Sequence, residues 1–287
     1  MTSSILSEST VGGMLKTATD RLTASGVSNA AWEARELMAA VLKELPVLVP
    51  LRFREEVPAA PRAVWDRLVA ERCGRKPLAQ VLGEWSFGDL RLLVTPDVLV
   101  PRPETEEFFS WIVDRLPPRL FSLADVGTGS GCLAIALARK YPGAYVWAVD
   151  VSPSALSVAR RNAAAHGVGR RVFFLEGDLM SRFSPGLHLD AVVANLPYVD
   201  EKDMESLDPE VRREPALALD GGRGGLDVIR RLIVQAWEKL LPDGQVFLEI
   251  GHDQAAAVSD LFRGMGYRKI EVGRDFAGVE RFVAGTK

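Results

Sequence analysis

The 287-residue sequence predicts an α/β protein preceded by a small all-α region, and three observations carry that reading. Up to about residue 80, apolar residues recur at three- and four-residue spacing. From residue 121, short apolar runs alternate with amphipathic stretches. One run ends in the glycine-rich turn Asp125-Val126-Gly127-Thr128-Gly129-Ser130-Gly131. Strands alternating with helices imply a mostly parallel sheet covered on both faces.

In chain order, the periodicity predicts helices over 14–25, 31–45 and 61–73, with Val64, Trp65, Leu68 and Val69 on one face of the last. Pro46, Pro50, Pro58 and Pro61 punctuate the gaps. Residues 84–93 and 98–100 read as short extended pieces around turns at Gly88-Asp89 and Thr95-Pro96-Asp97. Pro101 and Pro103 then hold the backbone extended, and a helix covers 104–113. Strands follow at 121–126, 145–149, 172–175, 189–194 and 245–250, with helices at 133–139, 152–166 and 226–240. Ser152 is the expected N-cap of its helix, Pro153 its first residue, and Gly167 its stop. Residues 268–272 and 280–283 are joined by a short loop without a helix, so they should pair antiparallel at the sheet edge. The expected division is a helical domain over 1–80 that binds a partner or shapes a cleft, a hairpin connector with a linking helix over 81–118, and a catalytic domain over 119–287.

Composition narrows the function. Lys plus Arg is 35 and Asp plus Glu 38, for a net charge of −3. Proteins that coat a phosphate backbone are clearly basic, so direct nucleic-acid binding is disfavoured. Cys73 and Cys132 make neither a disulfide framework nor a zinc site, and His166, His188 and His252 lack ligand spacing, so no metal is expected. The first 15 residues hold no Lys or Arg and no long apolar stretch, which is not a secretory leader. No run approaches the roughly 20 apolar residues of a membrane span. A soluble, cytoplasmic protein is the expectation.

The glycine turn follows a strand and opens a helix, at the strand end where open α/β sheets bind ligands. Gly127, Thr128, Gly129 and Gly131 are therefore candidate cofactor contacts. Asp150 ends the next strand, at the spacing of an acid that accepts from two ribose hydroxyls. The spacing is G-x-G-x-G rather than the dinucleotide G-x-G-x-x-G, and the acid Asp125 precedes it. A carboxylate there repels a phosphate but suits an amine or a cationic centre. Asp178, followed by Leu179 at the third strand end, adds an acceptor for an adenine amino group. Three acids at three strand ends favour S-adenosylmethionine over NAD, with S-adenosylhomocysteine as the product.

Asn195-Leu196-Pro197-Tyr198 ends the fourth strand on the same edge. Methyl transfer to a planar amide or amine nitrogen needs acceptors for its protons, a rigid backbone and a flat face. Asn195 supplies a carbonyl, the Leu196 main chain a second, Pro197 stiffness and Tyr198 the face. Asn195, Pro197 and Tyr198 are thus the candidate catalytic residues. Asn195 also borders the cofactor, and all four bind substrate.

In these residues the sequence resembles the HemK/PrmC protein-glutamine N5-methyltransferases. The likeness rests on Gly83–Phe87, Pro101-Arg102-Pro103-Glu104-Thr105-Glu106, the glycine turn and the Asn195 segment. It continues through Glu214-Pro215, Leu219-Asp220-Gly221-Gly222 with Gly225-Leu226-Asp227, Glu249-Ile250-Gly251 with Gln254, and Asp275 with Gly278 and Arg281. The family has Asn-Pro-Pro-Tyr where this chain has Leu196, which frees one φ angle. The resemblance implies a seven-stranded Rossmann-like S-adenosylmethionine-dependent methyltransferase domain behind a helical N-terminal domain and a β-hairpin connector. It implies transfer to the glutamine of the Gly-Gly-Gln motif in class 1 peptide chain release factors. A monomer is expected, although the sequence does not fix the oligomeric state. A ribosomal-protein glutamine is the alternative acceptor, and a nucleobase amine a weaker one. It also implies that Asp150 binds ribose, that Asp178 lies near adenine, that Asn195 holds the substrate amide, and that Arg102 and Glu104 lie over the cofactor cleft. The polar stretch 200–223 reads as a loop that orders when a protein docks.

Overall fold

The computed structural model describes residues 7–118 and 122–287. Phe121, expected to open the first catalytic strand, and the domain boundary expected at residue 119 lie outside the described residues. The described chain divides into two compact units. One takes the residues up to Gly83 together with Pro209–Arg213; the other takes the rest, so the stretch expected to be a connector clusters with the sheet.

The first unit is built from α1 (Val11–Ala24), α2 (Ala30–Leu42), α3 (Ala59–Cys73) and the single turn α4 (Leu78–Leu82). Thr10 caps α1 by accepting from the Gly13 N–H at 3.2 Å. Leu22, Leu37, Met38 and Val69 are its fully buried centre. Two expectations shift. Helix α2 stops short of 45 because Lys43 takes a left-handed φ of 56°. Val64 stays exposed while Trp65, Leu68 and Val69 are buried, so the buried stripe is narrower than its spacing suggested. Arg72, 4% exposed, is held by Glu33 and by Glu210 at 2.8 Å, and Arg75 grips Glu210 at 2.7 and 2.5 Å. A buried guanidinium is tolerable only when it is paired in this way.

The second unit opens with the antiparallel hairpin β1 (Glu84–Phe87) and β2 (Leu90–Leu93), then α5 (Pro103–Val113). Next come β3 (Ser122–Val126), α6 (Cys132–Lys140), β4 (Tyr145–Asp150), α7 (Pro153–Ala165), β5 (Val172–Glu176) and β6 (Leu189–Asn195). The chain ends with α8 (Asp227–Lys239), β7 (Leu240–Glu249), α9 (Ala255–Met265), β8 (Arg268–Arg274) and β9 (Glu280–Thr286). Among the described residues the main sheet has seven strands in the order β5-β4-β3-β6-β7-β9-β8. The first five are mutually parallel, and β9 pairs antiparallel with both β7 and β8. The expected antiparallel pair is therefore present, with β8 at the edge and β9 inserted beside β7.

Alternation along the strands builds two cores. Leu123, Ala191, Val193 and Phe247 face α5 and α6, where Phe108 stacks on Phe282 with ring centroids 5.3 Å apart. Ala124, Val126, Val192 and Leu248 face α8 and α9 through Ile229, Leu232, Val258 and Phe262. The expected helix over 226–240 gives up its last residue to β7, and α9 was not anticipated. The N-cap expectation holds: Ser152 Oγ accepts from the Ala155 N–H at 3.2 Å, with Pro153 in the first turn. Asn162 of α7 fastens the hairpin, accepting from the Leu93 N–H at 2.7 Å and donating to its carbonyl at 3.1 Å.

Candidate active site

The turn after β3 is folded by its own backbone. The Gly127 and Thr128 N–H groups donate to the Val149 carbonyl at 2.8 and 2.9 Å, and Gly131 N–H donates to Thr128 at 2.8 Å. Gly127, Gly129 and Gly131 have φ of 76°, 53° and 84°, a region that costs other residues about 1–2 kcal/mol. Asp150 closes the turn from β4: Oδ2 accepts from Gly129 N–H and Oδ1 from Ser152 N–H, both at 2.9 Å. Asp125 sits differently from expectation. It is 1% exposed, and Oδ2 already accepts from the Thr128 hydroxyl at 2.6 Å and the Ala134 N–H at 3.0 Å. Burial pushes its carboxyl up to about 7. Asp125 and Thr128 thus stabilise the turn from within. Burial likewise raises the Cys132 thiol to about 12, which makes it no nucleophile.

A cleft of about 250 Å³ opens at these strand ends, lined by Gly127, Gly129, Asp150, Asp178, Leu179 and Asn195 among others. Leu179 is held at φ 51°, and the next N–H, of Met180, donates to Gln235 of α8 at 2.8 Å. Asp178 pairs with Arg231 of the same helix. The structure therefore brings Gly127, Gly129, Asp150, Asp178, Leu179 and Asn195 together at the cleft, whereas Asp125 and Thr128 are buried beneath it and Gly131, also expected there, packs against Ala159 and Ile135.

Asn195 ends β6 and donates through Nδ2 to Thr105 Oγ1 of α5 at 3.1 Å. Leu196, 3% exposed, packs onto the turn: a Cβ at Gly127 would lie 3.1 Å from its Cδ2. Behind the Asn-Leu-Pro-Tyr segment stands a brace. Gln254 Nε2 donates to the Tyr198 carbonyl at 2.9 Å and to the Gly224 carbonyl at 3.0 Å, while its Oε1 accepts from Gly251 N–H at 2.8 Å. A Cβ on Gly225 would sit 1.9 Å from the Tyr198 carbonyl oxygen, and one on Gly221 2.7 Å from that of Pro197. Glu214, 5% exposed, accepts from Val100 N–H at 2.8 Å and pairs with Arg102. Much of the stretch read as a loop ordered by docking is therefore already held by bonds.

Glu249 ends β7 directly opposite Asn195 in the sheet register and is 2% exposed. Burial pushes its carboxyl up to about 7, Thr105 opposing the shift and Glu104 adding to it. Because that value exceeds the ordinary 4.5, the folded state keeps a proton that the unfolded chain releases. The contribution to stability is present below about 4.5 and is lost as pH rises through about 7. Glu249→Gln removes the penalty, so its melting temperature should exceed that of the wild type at pH 8.5. The margin, at most about 3 kcal/mol, should shrink towards pH 5. Thermal scans across this range check it, and a margin independent of pH would refute the assignment.

Sequence reasoning singled out neither Thr105, Glu249 nor Gln254 as site residues. Their one signal was membership of the segments that carry the family likeness, Pro101–Glu106 and Glu249–Gly251 with Gln254. Among the described residues no group of acids, histidines or cysteines is placed to hold a metal, and no helix is long and apolar enough to cross a membrane.

Two family models match the chain: a methyltransferase domain over 123–214 and the PrmC N-terminal domain over 14–83. The release factor glutamine methyltransferase of Moorella thermoacetica is 42% identical over 264 residues, covering 91% of this chain and 93% of that one. That of Deinococcus radiodurans is 40% identical over 279 residues, covering 96% and 97%. That of Geobacter sulfurreducens is 38% identical, covering 92% of each. Among solved structures, the hMettl16 catalytic domain in complex with MAT2A 3'UTR hairpin 6 superposes with a TM-score of 0.58 at 18% identity, covering 76% of this chain and 81% of that one. A methyltransferase from Pyrococcus furiosus superposes at 0.55 and 19%, covering 76% and 98%. At these identities the two structures establish the fold.

Proposed function

The chain belongs to the release factor glutamine methyltransferases, and from that premise we propose that it moves the methyl group of S-adenosylmethionine onto the side-chain nitrogen, N5, of the glutamine in the Gly-Gly-Gln motif of class 1 peptide chain release factors. The observation that carries the reading is the placement of the Asn195 carboxamide at a strand end beside the cleft that the glycine turn and Asp150 border.

The cleft's residues suit an adenosyl sulfonium. The turn has no Cβ in a ligand's way, Asp150 offers a carboxylate to ribose hydroxyls, and Asp178 and Leu179 offer an acceptor and an apolar wall to the base. Gly127 and Gly129 border it, while Asp125 and Thr128 hold the turn in place. When bound, the cofactor supplies an electrophilic methyl group.

The chain's own residues do the rest. An amide nitrogen is a poor nucleophile, so its orientation governs the rate. Asn195 Oδ1 and the Leu196 carbonyl accept from the glutamine NH₂ and aim its lone pair. Both carbonyls also stabilise the positive charge that grows on the nitrogen during attack. Pro197 stiffens the segment and Tyr198 lies flat along the amide. No base need act before transfer; the surplus proton leaves to water.

The test is mass spectrometry of a class 1 release factor incubated with the protein and S-adenosylmethionine. The expected result is one methyl group on the glutamine of Gly-Gly-Gln. Methyl transfer to a ribosomal protein or to RNA, with the release factor untouched, would overturn the proposal.

A further inference from the structure

An asparagine side chain has two ends of nearly equal shape and opposite polarity. If Asn195 is to accept from an amide NH₂, its oxygen must face the acceptor, and its nitrogen must be held elsewhere. Facing the wrong way, two N–H donors would oppose two N–H donors. The means of choosing lies behind it. Asn195 Nδ2 is 3.1 Å from Thr105 Oγ1, and Thr105 is 2% exposed. Glu249 stands opposite Asn195 in the register, and its Oε2 is buried with no hydrogen-bond partner. The nearby cation, Arg281, faces Asp275 at 3.5 Å instead.

We propose that Thr105 and Glu249 are positioning residues that fix which end of the Asn195 carboxamide faces the substrate. Above about pH 7, where Glu249 is ionised, its carboxylate can only accept, so the Thr105 hydroxyl donates a hydrogen bond to it. A hydroxyl whose proton is so committed presents lone pairs to its other neighbour, so it accepts from Asn195 Nδ2. The carboxamide is then locked with Oδ1 on the substrate side. Each bond in the series also polarises the next, which makes Oδ1 a stronger acceptor. The inference rests on the proposed methyl transfer to a glutamine amide and adds to it the residues that orient the acceptor carbonyl.

The test uses Thr105→Val, which keeps the shape and removes the hydroxyl, and Thr105→Ser, which keeps the hydroxyl. Each is made alone and with Asn195→Ala. Methylation of the release factor is followed together with S-adenosylmethionine affinity by calorimetry. Thr105→Val should lower kcat by about tenfold, the value of one hydrogen bond, with cofactor affinity within about twofold of the wild type. Thr105→Ser should recover most of that loss. On Asn195→Ala, Thr105→Val should cost less than about twofold more, because the group it orients is gone. A Thr105→Val enzyme of wild-type kcat, a Thr105→Ser enzyme as slow as Thr105→Val, or an equal loss in both backgrounds would overturn the inference while leaving the proposed reaction standing. A wild-type protein that leaves the release factor unmethylated would overturn both.

Discussion

Asn195→Ala is expected to lower turnover about tenfold to over a hundredfold while S-adenosylmethionine still binds within a few fold of its wild-type affinity. The asymmetry follows from where the residue sits. Its carboxamide borders the cleft, but Gly127, Gly129, Asp150 and the Asp178–Leu179 corner also line it and keep their bonds through the change. What disappears is an acceptor that matters most as charge develops on the attacking nitrogen, so kcat falls rather than cofactor affinity. Steady-state methylation of a release factor, paired with calorimetry of the cofactor, separates the two. Turnover near that of the wild type would remove Asn195 from the mechanism.

Asp150→Ala should show the reverse pattern. Two charge-assisted hydrogen bonds to ribose hydroxyls are each worth about 1.5–3 kcal/mol, so the dissociation constant should rise about a hundredfold or more. The same substitution frees the Gly129 N–H, which loosens the turn as well. At saturating cofactor the turnover should stay within a few fold of the wild type, since in the proposed reaction Asp150 holds the ribose and not the transferring methyl. Calorimetric titration with S-adenosylhomocysteine checks the affinity without any chemistry. An unchanged dissociation constant would show that the ribose is held elsewhere.

The parts of the architecture written into local pattern were legible in the sequence. The strands ending at Val126, Asp150 and Asn195 are apolar runs bounded by glycine, serine or proline, and the Ser152-Pro153 start of α7 is a local signal. Helix α9 was equally local, with Val258, Phe262 and Met265 at four- and three-residue steps, yet it hid between two stronger strand signals. The place of β9 between β7 and β8 depends on long-range pairing, which no window of residues contains. The site divides in the same way. Its chemistry-bearing residues announced themselves at strand ends. Thr105, Glu249 and Gln254 did not, because they lie far from residue 195 in sequence and meet it only when α5, β7 and the start of α9 are in place. Asp125 was visible as an acid beside glycines, but whether it faces a ligand or the interior is set by Thr128 and Ala134, the partners that claim it.

Gly221 and Gly225 approach the carbonyls of Pro197 and Tyr198 so closely that no Cβ fits between. For the lineage of such a chain, that contact restricts drift at positions with no chemistry of their own. A side chain gained at 225 would drive the backbone of Tyr198 away and carry Asn195 with it, so the proposed acceptor residue is guarded by residues whose only qualification is their emptiness. Between the two contacts the chain runs out through residues 200–220, where Glu210 and Glu214 tie it down again, so additions and losses leave the anchors in place along the mostly exposed span 201–208. Variation among descendants should therefore accumulate along that short span and stop abruptly at Glu210.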